Sequence, residues 1–217
     1  MKLPSEKLLN DFAPLTPVST CPQIAVHQAP EFYRLWDALE LEQGSVCDVP
    51  FWAAVWPGAK SLSRYILNNP DLVKGKSILD LGCGSGVVSI AASKAGAGRV
   101  VANDIDPVAL HIAERDFLAN GVSPVLEKRN FLEEDILETF DLVFVVDMFY
   151  ERSKSPSMLS LLKHLREKGT EIIIADGSRP FAPKDNIELL LNEWIEVDRE
   201  LEGVYTREVR IFRFEMQ

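Results

Sequence analysis

Three glycines at alternate positions, Gly82, Gly84 and Gly86, break the apolar run ILDLGCGSGVVSI. An aspartate, Asp104, stands 20 residues beyond Gly84 in RVVANDIDP. A glycine-rich turn between a strand and a helix lets backbone amides and the positive helix end approach a ligand closely. A carboxylate ending the next strand can accept both hydroxyl protons of a ribose. Together they describe a nucleoside site. The spacing is G-x-G-x-G with Val87 following, whereas a pyrophosphate calls for G-x-G-x-x-G, and no P-loop lysine is present to suit a phosphate chain. Alone, the glycines describe a tight, closely packed turn equally well; Asp104 and the order of strands and helices point them toward a ligand.

The elements that must carry these residues follow from periodicity. Residues 1 to about 30 contain five prolines and read as an irregular or partly helical lead-in. Phe32, Leu35, Trp36 and Leu39 have helical spacing and stop at Gly44, and a second helix is predicted over 58–68. From residue 77 strands and helices alternate: ILDL and a helix over 87–95; RVVAND and a helix from Pro107 to Asn120; PVLEKRN; DLVFVVD and a helix from Pro156 to Lys168; EIIIAD and a helix near 184–194. Such alternation predicts a parallel sheet covered on both faces. Asp106-Pro107 supplies an N-cap, and Ser155-Pro156 with Gly169 brackets the later helix. In VYTREVRIFRFE, Val209 and Ile211 would face one side and Phe212 and Phe214 the other. With WIEVDREL before Gly203, the tail reads as an antiparallel hairpin ending the sheet.

DLGCGSG followed by VVANDIDPVAL resembles the motif pair of class I S-adenosylmethionine-dependent methyltransferases. The resemblance implies an α/β fold, a Rossmann-like seven-stranded, mostly parallel sheet with helices on both faces and a C-terminal antiparallel hairpin. Here residues 1–70 would be an N-terminal helical extension packing on a methyltransferase domain of 71–217. It also implies that Gly82, Gly84 and Gly86 pass beside the methionine part of the cofactor, that Asp104 holds the ribose, and that Asn130 and Phe131 flank the adenine. PFWAAVWPGAKSLSRYILNNP, VVDMFYE and ADGSRP further resemble the lysine methyltransferases of the electron transfer flavoprotein β subunit, from about residue 31 to the C-terminus. Their acidic-x-x-aromatic signature reads Asp147-Met148-Phe149-Tyr150 here, and the resemblance places Trp56 beside the methionine end.

That implied chemistry is an in-line displacement by an amine at a carbon already activated by a sulfonium, so the protein must align donor and acceptor. A lysine of pKa about 10.4 must first lose its proton, costing roughly 4–5 kcal/mol at pH 7. A sulfonium and an apolar channel reduce that cost, whereas a carboxylate raises it. Asp147 is therefore expected to capture and orient the amine rather than act as a strong base; the alternative is a cap on the following segment. Tyr150 would line the lysine channel or be an ordinary half-buried tyrosine. Trp52 and Trp56, four apart, would share a face on a helix or a strand and could offer ring faces to a cation, or serve as core. Arg179, in GSRP, would contact an acidic partner or tie down its loop.

Composition narrows the partners. Thirty-three acidic against 23 basic residues give a net charge of −10, unlike the basic footprint of a nucleic-acid binder. Cys21, Cys47 and Cys83 form none of the close pairs of zinc or redox motifs, so reduced thiols in a cytoplasmic protein and no metal are expected. MKLPSEKLLNDF has no signal-peptide core, and no apolar run approaches a membrane span. His27, His111 and His164 are isolated and expected to be surface or packing residues. The expected partner is a protein, the electron transfer flavoprotein β subunit. Two alternatives stand beside it. DLGCGSGVVSIAA and DIDPVAL also resemble methyltransferases of a large-subunit ribosomal protein, and a non-catalytic S-adenosylmethionine-binding module would share the cofactor motifs. The asparagine-proline-proline-aromatic motif of glutamine methyltransferases is absent where DMFY stands.

Overall fold

The computed structural model describes residues 2–215. The chain opens with helix α1 (Glu6–Phe12), whose N-cap Ser5 accepts from the Leu8 amide, then a hairpin of β1 (Leu15–Val18) and β2 (Cys21–His27). The lead-in is therefore more ordered than its prolines imply. Prolines are tolerated in this two-stranded sheet because both strands are edges. Helix α2 (Phe32–Gln43) ends on Gly44, whose φ of 72° is left-handed. A single 3₁₀ turn (Phe51–Ala53) precedes α3 (Pro57–Asn68).

The main sheet then forms from β3 (Ser77–Leu81), β4 (Arg99–Asn103), β5 (Val125–Glu127), β6 (Leu142–Val146), β7 (Glu171–Asp176), β8 (Ile187–Glu196) and β9 (Thr206–Phe214). Between them run α4 (Val87–Lys94), α5 (Pro107–Ala119), α6 (Ser155–Glu167) and the short α7 (Arg199–Glu202). The strand order is β5-β4-β3-β6-β7-β9-β8, parallel through β7 with β9 and β8 antiparallel, which is the expected seven-stranded arrangement. The order reverses direction at β3, between β4 and β6. In open sheets this is where ligands bind, beyond the carboxyl ends of the strands.

Alternation along the strands sends side chains to two cores. Ile78, Phe144, Ile173 and Ile211 meet α3, α4 and α5 on one face, while Leu79, Val143, Ile174, Phe212 and Phe214 meet α6 and residues 131–140 on the other. Leu62 and Ile66 of α3 are fully buried, each side chain contributing about 1.5–3 kcal/mol by leaving water. The described part of the extension joins the rest of the chain through α3, and through β2 against α5, where the buried His27 pairs with Asp116 at 2.5 Å.

Two expectations are corrected. The helix expected near 184–194 is strand β8. It is an edge strand paired only with β9, and a register shift between Leu189 and Leu191 breaks the alternation that would have marked it as a strand. Ser155 does not cap α6: it is the first helical residue, and its hydroxyl donates to the Glu151 carbonyl at 2.7 Å. Asp106 does cap α5, accepting from the Val108 amide at 2.8 Å.

Candidate active site

The glycine turn joins β3 to α4 and is pinned to the neighbouring strand, where the Cys83 amide donates to the Asn103 carbonyl at 2.8 Å. Only Gly84 of the three glycines looks onto open space: a Cβ there meets nothing within 4 Å, although its φ of +52° disfavours any side chain. A Cβ on Gly82 would lie 2.7 Å from the Met148 sulfur, and one on Gly86 2.7 Å from the Phe117 ring of α5. Gly86 thus serves close helix packing, Gly82 brings the turn against the 147–150 segment, and Gly84 leaves the cradle.

Asp104 closes that cradle. Its Oδ2 accepts from the Gly84 amide at 2.9 Å and its Oδ1 from the Asp106 amide at 3.0 Å. A carboxylate offers about four acceptor sites, so acceptor capacity remains for hydroxyl donors. Burial pushes the Asp104 pKa up, with the Asp106 and Gly84 amides opposing it. Ile105 beside it is 57% exposed, an apolar surface for a planar base that the sequence spacing did not single out. Asn103 donates to the Glu127 and Arg129 carbonyls at 3.0 and 2.9 Å, tying the third loop to this one. Asn130 lies in that loop, its side chain accepting from the Leu132 amide at 3.2 Å. Phe131 is buried in the core with the Arg129 guanidinium 5.0 Å from its ring centre, so its ring is largely committed to packing.

These residues fit the cofactor implied by the sequence motifs: an open glycine cradle, a carboxylate with acceptor capacity to spare, and an exposed apolar side chain follow one another around the mouth of β3 and β4.

Beyond β6 lies the second group. Asp147 has a φ of 51°, and Ser178 beyond the neighbouring β7 has 62°. Non-glycine residues in that region are strained, and such strain gathers at functional sites. The Asp147 carboxylate is buried and engaged three times: Oδ2 by the Gly58 amide at 2.6 Å, Oδ1 by the Gly177 amide at 2.8 Å and by Arg179 Nε at 3.0 Å. Burial raises its pKa, and Arg179 and the two amides pull it back down. Gly58 permits this approach, since a Cβ there would stand 2.8 Å from Asp147 Oδ2. The carboxylate is therefore anchored to α3 and to the post-β7 turn, with one acceptor direction on Oδ2 left over.

Tyr150 is exposed and joins an aromatic row. Its ring centre lies 5.6 Å from Phe51, and Phe51 lies 5.9 Å from Trp56. Trp56 donates its Nε1 to the Phe51 carbonyl at 2.9 Å. Trp52 does not share this face. The 3₁₀ turn and the extended Ala54 after it break the four-residue periodicity, and Trp52 is 1% exposed in the core with α2 and α5. Phe51, adjacent to it, takes the surface position, and no spacing marks it. A cavity of about 230 Å³ borders Trp56, with Ala54, Lys60, Leu201 and Glu202 among its walls. Gly82 against Met148 joins the two groups, placing the nucleoside cradle beside an aromatic wall with a buried carboxylate behind it.

The comparisons with known proteins agree with the fold. The family described as ribosomal protein L11 methyltransferase (PrmA) matches residues 61–147. The magnesium protoporphyrin IX methyltransferase of Synechocystis PCC 6803, solved with bound SAM, is similar in fold, with a TM-score of 0.52, 19% identity, and 71% of this chain and 77% of that one covered. The electron transfer flavoprotein β subunit lysine methyltransferase of Rattus norvegicus is 43% identical over 136 residues, 60% of this chain and 52% of that protein. The chain thus spans about half the length of the vertebrate relatives it matches. The Caenorhabditis elegans homologue of that enzyme is 30% identical over 188 residues, 78% of this chain and 75% of that protein. By this similarity of sequence, the chain belongs to the electron transfer flavoprotein β subunit lysine methyltransferase family.

Proposed function

We propose that the protein is an S-adenosylmethionine-dependent protein-lysine N-methyltransferase acting on the electron transfer flavoprotein β subunit and releasing S-adenosylhomocysteine. The observation that carries this reading is the contact of Gly82 with Met148, which sets the Asp104 cradle against the Asp147-to-Tyr150 segment. The names of the relatives support the acceptor. When bound, the cofactor supplies a methyl carbon activated by a sulfonium. Asp104 and the Gly84 turn hold the nucleoside, and Asn130 and Ile105 border the base. Trp56, Phe51 and Tyr150 offer ring faces and one hydroxyl to the acceptor side chain and keep water from it. This wall would present the lysine nitrogen, its proton given up to solvent, toward the mouth of the cradle. Asp147 directs the amine from behind this wall. Three free, buried cysteines support a reducing, cytoplasmic setting.

The test is incubation of purified enzyme with labelled cofactor and the purified β subunit, followed by mass spectrometry. Methyl groups on lysines of the subunit, lost when those lysines become arginine, are expected. The match of residues 61–147 to the L11 methyltransferase family favours one second reading, a ribosomal-protein acceptor. Label on L11 with none on the β subunit would replace the first reading by the second. Tight cofactor binding with no labelled protein at all would leave a binding module.

A further inference from the structure

Asp147 is held by a guanidinium that is itself held from behind. Arg179 gives its Nε to Asp147 and its two terminal nitrogens to Glu202 of α7, at 3.0 and 2.8 Å. Glu202 in turn accepts from Arg207 Nε of β9 at 2.8 Å, and its carbonyl accepts from the same guanidinium at 2.9 Å. The guanidinium carbon of Arg179 lies 5.5 Å from the centre of the Trp56 ring. All three side chains are largely out of water: Asp147 is 5%, Arg179 13% and Glu202 4% exposed. A loop tie would need one of these contacts. Here two carboxylates and two guanidiniums alternate, and the chain of charges ends at the carboxylate behind the acceptor wall.

The other charged groups near this chain are few. Asp176, at the end of β7, accepts from the Arg179 amide at 2.7 Å, while its second oxygen is buried without a partner; burial and the neighbouring Asp147 push its pKa to about 6. Arg210 of β9 acts on Asp176, and Lys60 of α3 lies near Asp198 and Glu202. Of these, Arg179 alone is bonded to the Asp147 carboxylate.

An uncompensated carboxylate beside the acceptor would hold a lysine in its ammonium form, the opposite of what a nucleophile requires. We propose that Arg179, clamped by Glu202 and Arg207, is a positioning residue that compensates the charge of Asp147, so that the acceptor amine arriving against Trp56 meets a paired carboxylate and sheds its proton to solvent before methyl transfer. The inference rests on the lysine methyltransferase reading above. Arginine suits the role because it cannot lose its own proton and its planar fork reaches three oxygens at once; lysine would supply the charge without the fork.

The experiment compares the pH dependence of kcat for wild type, Arg179→Met, Arg179→Lys and Glu202→Gln, on the β subunit with saturating cofactor. In Arg179→Met, the limb along which kcat rises as the bound lysine deprotonates should move up by about one pH unit, a loss of about tenfold at pH 7. Cofactor affinity measured by calorimetry should change far less. Glu202→Gln should shift the limb the same way by less, Arg179→Lys should fall between, and Asp147→Asn combined with Arg179→Met should bring the limb back toward wild type. Lowered activity in Arg179→Met with an unmoved limb means a merely structural arginine and overturns the proposal. If wild type does not modify the β subunit, the functional reading fails, and a second measurement without any acceptor decides the inference. Carboxyl-carbon NMR of the free protein should show Asp147 gaining proton affinity by about tenfold in Arg179→Met; an unchanged titration overturns it.

Discussion

Replacing Asp104 by alanine separates cofactor binding from stability. The carboxylate accepts from the Gly84 and Asp106 amides, at 2.9 and 3.0 Å, and its remaining acceptor capacity would serve ribose hydroxyls. Losing a hydrogen bond to a charged group costs roughly 1.5–3 kcal/mol, so the dissociation constant for S-adenosylmethionine should rise by about 10- to 150-fold. The fold should not suffer in proportion. Burial already raises the Asp104 pKa, which means that the folded protein pays to keep this carboxylate ionised; alanine removes that cost while freeing two loop amides to water. Calorimetric titration with the cofactor and thermal denaturation of the same samples provide the two readouts. Affinity within threefold of wild type in a folded variant would remove the ribose role. A large drop in melting temperature accompanying the lost affinity would show that Asp104 serves the loop and not the ligand. A pH series adds a control: wild-type affinity should weaken as pH falls and Asp104 becomes protonated, and Asp104→Ala should lack that component.

Three further outcomes follow from local geometry. Gly84→Ala, at φ +52° but facing open space, should lose cofactor affinity with about 1–2 kcal/mol of stability, whereas Gly86→Ala, at φ +71° with Phe117 at 2.7 Å, should lose stability more heavily, as denaturant titration will separate. Trp52→Ala should cost about 3–5 kcal/mol by leaving a core cavity, while Trp56→Ala, at the surface of the site, should cost less stability and more turnover. Asp80, fully buried and accepting from Ser89 Oγ at 2.6 Å, has its pKa raised by burial to about 6. The folded protein therefore retains a proton that the unfolded chain gives up from the ordinary carboxylate range upward, so this group makes stability fall as pH rises toward 6. Asp80→Asn should flatten that part of the stability profile, although Asp176, also near 6, will keep its own share.

The sequence alone determined what depends on short range. The G-x-G-x-G turn, the Asp106-Pro107 start of α5, the Gly44 stop of α2 and the short, largely apolar runs of β3, β6 and β7 are each written in fewer than a dozen consecutive residues, and the strand-and-helix order then leaves one sheet topology to expect. Tertiary structure decided what depends on partners distant in the chain. IELLLNEWIE became a strand because β9 was there to pair with it, a fact invisible in its own leucine run. Trp52 and Trp56 are equivalent by spacing, yet one turn of 3₁₀ helix put the first in the core and the second in the site, with Phe51 completing the wall. Asp147 could be picked out by its place after β6, but its donors come from Gly58, Gly177 and Arg179, and the anchor of Arg179 comes from Glu202. Backbone propensity acts over a few residues, whereas the charge and orientation of a buried carboxylate are fixed by whichever groups the fold brings within about 3 Å of it.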